Sequence, residues 1–144
     1  MNIRRFVGAW IMIWTLIAAG CGGASNPNAN LIPVTGTVTM DGKPLEGASV
    51  TFMGPGQGGS GVTDAAGKYE ITHFRAGKGV DAGDYSVLIS KLVMANGSPI
   101  PPGTESAADL NTKELVPQQY NAVTTLKANV KAGAPPIDFA IKSR

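Results

Sequence analysis

The chain has a single cysteine and a single histidine, and little charge or aromatic surface: 15% of its 144 residues are charged and 6% are aromatic. Each scarcity narrows what the protein can do. Cys21 has no partner for an internal disulfide, so it is free, paired between chains, or modified. His73 alone cannot make a histidine-based metal set. As a general base it would need an orienting partner and a nucleophile, so it reads as a solvated residue at a strand end. Asp64, Asp81 and Asp84 are the carboxylates placed to hold calcium. Calcium takes roughly six to eight oxygens, and these three lack EF-hand spacing, so they read as turn residues and no metal or cofactor is expected. The glycine-rich residues 54–61 lack the Lys-Ser/Thr and following helix of a phosphate loop, and read as a flexible connection. No internal repeat is present.

The N-terminus is the first positive signal. Met1-Asn2-Ile3-Arg4-Arg5 is basic, and residues 6–19 are apolar and uncharged. That run is short for a bilayer span and right for the core of a signal peptide, here residues 1–20. Ala18-Ala19-Gly20 then precede Cys21, an arrangement that resembles a bacterial lipobox, with Ala18 where a leucine is usual. The resemblance implies a lipoprotein. The Cys21 thiol would take a diacylglycerol, cleavage would fall before Cys21, and the new amine would be acylated with a palmitate-type chain. A second acyl chain turns weak attachment into a stable anchor. Residues 21–32 then form the lipidated cysteine and an uncharged tether rich in Gly, Ser, Asn and Pro.

Cleavage removes Arg4 and Arg5 and leaves ten basic against ten acidic residues, so the formal net charge falls from +2 to zero. No basic patch favours nucleic acid. Trp10 and Trp14 also leave with the peptide.

Residues 33–144 read as one all-β domain. Val34, Gly36, Val38 and Met40 alternate with threonines; Ala48, Val50 and Phe52 alternate with Ser49, Thr51 and Met53. This period of two marks strands with one buried face. Leu45 is the apolar plug beneath the loop between them. Residues 60–63 and 68–72 make the next two strands around the turn Asp64-Ala65-Ala66-Gly67, with Tyr69 and Ile71 on one face. Residues 73–83 are a glycine-broken connection. Residues 84–91 carry Tyr85, Val87 and Ile89 inward, and the Tyr85 hydroxyl is placed for a tyrosine-corner bond to nearby backbone. Residues 124–131 and 137–142 complete seven strands. Residues 92–120 are long for a sandwich loop, contain Pro99, Pro101 and Pro102, and have helix-forming composition over 106–115.

Val34-Thr35-Gly36-Thr37-Val38, Asp41-Gly42-Lys43-Pro44-Leu45, Gly47-Ala48-Ser49-Val50-Thr51-Phe52, Thr63-Asp64-Ala65-Ala66-Gly67-Lys68-Tyr69 and Gly83-Asp84-Tyr85-Ser86-Val87, in that order, resemble the carboxypeptidase regulatory-like domain. The segment Leu115-Val116-Pro117-Gln118-Gln119-Tyr120-Asn121 is similar to the tail of short bacterial lipoproteins carrying one such domain. The resemblance implies a transthyretin-like, seven-stranded Greek-key β-sandwich. It also implies an accessory role, because modules of this family stabilise, present or dock neighbouring domains. Hydrolases and dioxygenases with related folds use more than one histidine, which this chain does not supply.

The expected function is therefore non-enzymatic: a structural or protein-interaction module of the cell envelope, held to the inner or outer membrane by lipid and working with another envelope protein. The rival is a ligand- or carbohydrate-binding module that uses residues 92–120. Its candidate contacts are Tyr120 and Phe74, the aromatics not assigned to the core. Tyr120 has a second reading, in which it closes the long loop onto the sandwich edge.

Overall fold

The computed structural model describes residues 30–101 and 111–144. The expected signal peptide, Cys21 and most of the expected tether lie outside the described residues. Within them the protein is all-β, in two main sheets and one hairpin.

The first sheet centres on β1 (Thr35–Met40). Its first half pairs antiparallel with β5 (Lys68–Glu70), and its second half pairs with β2 (Lys43–Pro44) and, in parallel, with β12 (Phe139–Ile141). The second sheet runs β11 (Lys127–Val130), β8 (Gly83–Ser90), β3 (Ser49–Met53), β4 (Gly59–Val62), β6 (Thr72–His73), β7 (Gly77–Lys78). Its strand pairs are antiparallel. A separate hairpin joins β9 (Leu92–Met94) to β10 (Thr112–Glu114).

Alternation accounts for the buried faces. Val34, Val38, Ala48, Val50, Phe52, Tyr85, Val87, Ile89, Ala128, Val130, Phe139 and Ile141 are all buried, in the phase the sequence dictates. Leu45 plugs the loop at 5% exposure. Phe52 of the second sheet ties the two layers together. Its ring lies 5.7 Å from Tyr85, and 6.4 Å from both Tyr69 and Phe139, which belong to the first sheet. Tilted and edge-on aromatic pairs of this kind add about 0.5–1.5 kcal/mol each beyond their buried area. The Tyr85 hydroxyl donates to Asp81 O at 3.0 Å, which is the corner bond expected of it.

Four features differ from the sequence expectations, each because of a backbone partner that strand alternation does not name. Residues 68–72 do not stay in one sheet. Tyr69 pairs with Gly36 of the first sheet, and Thr72 pairs with Ser60 of the second. Ile71 is the crossover, with its N–H on Val34 O and its carbonyl accepting from Gly79 N.

Within the stretch 54–61, residues 55–57 form a tight turn of their own, and the strand expected over residues 60–63 begins one residue earlier, so that Gly59, Ser60 and Gly61 are all strand residues. Their glycines are needed there: a Cβ on Gly61 would collide with Glu70 O. The connection 73–83 contains β7, paired to β6. The helical expectation for 106–115 fails over its described part, where Thr112, Lys113 and Glu114 pair with Met94, Val93 and Leu92.

Candidate functional site

His73 ends β6, and its ring is nearly enclosed, with a side-chain exposure of 9%. The expectation of a solvated histidine is therefore corrected. The Pro55–Gln57 turn folds over the ring and sets Gly56 O 2.6 Å from Nε2. On the other side the Arg75 N–H donates to Nδ1 at 3.1 Å. An accepting Nδ1 means that Nε2 carries the proton and donates to Gly56 O, which is the neutral tautomer. The Asp81 carboxylate stands 3.9 Å from Nε2. Both ring nitrogens are taken by backbone groups, so the ring serves as a clamp on the glycine-rich turn and has no lone pair free for base catalysis.

The three aspartates are separately occupied. Asp64 Oδ1 accepts from Ala66 N and Lys68 N, both at 2.9 Å, and so shapes its own turn. Asp84 Oδ1 accepts from Asn129 Nδ2 at 2.7 Å, across the β8–β11 pair. Asp81 faces His73. Among the described residues no group of three His, Cys, Asp or Glu side chains converges as metal ligands would.

Tyr120 closes the short turn Gln118–Tyr120 and packs half-buried against the core, beside β8. Phe74 is exposed at the β6–β7 turn. From β8 to β6 is three strand spacings, roughly 14 Å. The two aromatics therefore do not form one sugar-stacking platform.

A cleft of about 490 Å³ lies on the outer face of the second sheet. Its floor follows from register: Ser49 pairs with Val62 on one side and with Ser90 on the other, and all three project outward. Leu92, Pro99 and Ile100 form the facing wall. Val62 is 66% exposed and Leu92 45%, so the cleft offers apolar surface to solvent. Lys91 marks one end, with its Nζ on Glu46 O at 2.5 Å.

The wall stands where it does because of Glu114, which sequence reasoning missed. At Lys91 the chain leaves the second sheet and becomes the arm β9–β10. Glu114 holds that bend, accepting from Ser90 Oγ at 2.5 Å and Lys91 N at 2.7 Å. It also accepts from Val116 N at 3.0 Å and Asn121 Nδ2 at 2.9 Å, which tethers the segment leading to Tyr120. Partial burial pushes the Glu114 carboxyl up. The bonds from Ser90, Val116, Lys91 and Leu115 outweigh that and hold it below the usual carboxylate range. No pattern in the sequence singled out a glutamate in a proline-flanked loop as a hub. Val93 is buried within the arm, apart from the main core cluster.

Comparison with protein-family models, curated proteins and solved structures finds no match for this chain. Among the described residues no helix is long and apolar enough to cross a membrane.

Proposed function

We propose that the protein is a non-enzymatic, lipid-anchored docking module of the bacterial cell envelope. Its body would be a transthyretin-like Greek-key sandwich of the carboxypeptidase regulatory-like kind, tethered through Cys21 and the residues that follow. The observation that carries the reading is the cleft between Val62 and Leu92. An apolar-walled groove with a charged end, bordered by a hairpin arm, suits an extended apolar segment of a partner protein. Among the described residues none that lines this cleft is aromatic, and Tyr120 and Phe74 lie apart, so glycan stacking is the less supported use.

Photo-crosslinking in intact cells tests the docking role. A photoreactive residue at Leu92 should capture a discrete envelope protein, while the same residue at Thr39, on the outer face of the first sheet, should not. Equal capture at both positions, or none at Leu92, overturns the cleft as the interface. The anchor is tested separately. Cys21→Ser should remain uncleaved and unacylated; a shortened, acylated Cys21→Ser product would end the lipoprotein reading.

A further inference from the structure

We propose that Asn96-Gly97 is a built-in site of self-catalysed deamidation, at which the arm beside the cleft acquires a carboxylate over time. Asn96-Gly97 is the one Asn-Gly pair in the sequence. Both residues are exposed, at the end of β9. Gly97 has φ of 89°, and nothing lies within 4 Å of where a side chain would begin. No neighbouring group crowds Gly97 where a side chain would stand in the way of the ring that must form.

The geometry around the Asn96 amide is what raises this above a sequence motif. Asn96 Oδ1 accepts two hydrogen bonds, from Ser98 N at 2.9 Å and from Ser98 Oγ at 2.7 Å. These donors polarise the side-chain carbonyl. They also stand where negative charge develops when the carbonyl carbon is attacked, so they act as a small oxyanion hole. The turn closed by the Ser98 N bond encloses the Asn96–Gly97 peptide unit and holds Cγ near the nitrogen it must meet.

The reaction needs only water. The Gly97 N–H loses its proton to hydroxide and the nitrogen attacks Asn96 Cγ. The Cγ–Nδ2 bond breaks, ammonia leaves with a proton from solvent, and a succinimide ring remains. Water then adds to either imide carbonyl and opens the ring to aspartate or isoaspartate. The net change is exchange of one amide for one carboxylate, with water consumed and ammonia released.

One bond restrains the reaction. Gly97 N–H donates to Met94 O at 2.7 Å, so the turn must open before the proton can leave. Ring opening to isoaspartate inserts a methylene into the backbone. It would disturb that bond and the one from Met94 N to Ser98 O. The modification therefore alters both the charge and the shape of the segment leading to Pro99 and Ile100 in the cleft wall.

The test is incubation of the purified full chain at neutral and mildly alkaline pH, followed by peptide mapping with isoaspartate detection. Asn96 should convert several-fold faster than Asn111, Asn121 or Asn129, and faster at the higher pH. Ser98→Ala, a change at an exposed residue, should slow conversion several-fold through loss of one donor, and Gly97→Ala should slow it further. Conversion of Asn96 no faster than that of the other asparagines overturns the proposal. So does a Ser98→Ala rate equal to or above that of the parent.

Discussion

Thr63 carries the most demanding test of the folding argument. Among the described residues it is the polar side chain buried in the core, at 3% exposure. Its hydroxyl donates to Leu45 O at 2.5 Å and accepts from Ala48 N at 2.8 Å. The hydroxyl thereby joins the loop from β2 to β3 to the end of β4, beside the backbone bonds from Gly47 N to Thr63 O and from Thr63 N to Ala48 O, both at 2.9 Å. Thr63→Val keeps the volume and the β-branch but removes that oxygen. The Ala48 N–H, on a residue with no exposure, then has no partner, and Leu45 O loses its donor. An orphaned buried group costs about 1–3 kcal/mol, and the added methyl returns about 0.8 kcal/mol. The net loss is about 2 kcal/mol, or roughly 8 °C in Tm for a domain of this size. Thr63→Ser keeps both bonds and loses only a methyl group, for about 1 kcal/mol. Thermal unfolding followed by circular dichroism, with urea unfolding as a second measure, gives the order. Parent should exceed Thr63→Ser, which should exceed Thr63→Val. A Thr63→Val protein at least as stable as Thr63→Ser would refute the claim that the hydroxyl, and not the packing, holds this corner.

Two other substitutions probe different contacts. Gly36→Ala would drive a methyl group against Ile137 O and the Tyr69 hydroxyl, which are bonded to each other at 2.6 Å. The loss should be about 3 kcal/mol, read as a lower urea midpoint, and a shift of under about 1 kcal/mol would show that β1 and the chain before β12 are not in close contact. Glu114→Gln should cost about 1 kcal/mol at neutral pH, a figure reduced for solvent screening because the group is largely exposed. The folded carboxyl titrates below its ordinary value of 4.5, so its contribution is complete above that pH and is lost as pH falls through the lowered value. Parent and Glu114→Gln stabilities, measured by urea unfolding across acid pH, should therefore converge below about pH 4.5. A gap that stays constant into acid would mean that the carboxylate charge is not what the bend at Lys91 uses.

The arm gives these measurements a functional meaning. Its position depends on a few polar bonds to Glu114 more than on the main core, which excludes Val93. Elements held in this way open at lower free energy than core strands. Glu114→Gln should therefore weaken crosslinking from Leu92 before it reduces overall folding. Carboxylate formation at Asn96 acts on the same arm by a different route.

Which faces are buried was decided by the amino-acid order alone. Tyr85, Val87 and Ile89 point inward, Leu45 sits beneath its loop, and Tyr85 reaches Asp81 O, all as local alternation and turn chemistry require. A period of two is written residue by residue, and water enforces it wherever the strand lies. The pairing partner is not written in that period, and the departures trace to it. Residues 68–72 change sheets because Gly36 and Ser60 each claim part of them. Gly59 and Gly61 stand in β4 as glycines because the backbone carbonyls of Thr72 and Glu70 pass too close for any side chain. His73 is enclosed because a turn sixteen or more residues earlier folds across it. Glu114 became the hub of the cleft wall only once folding brought Ser90 and Lys91, more than twenty residues away in the chain, within hydrogen-bond reach. Tertiary structure alone could make those assignments, because a hydrogen bond or a steric limit belongs to two segments, and their meeting is specified by neither one.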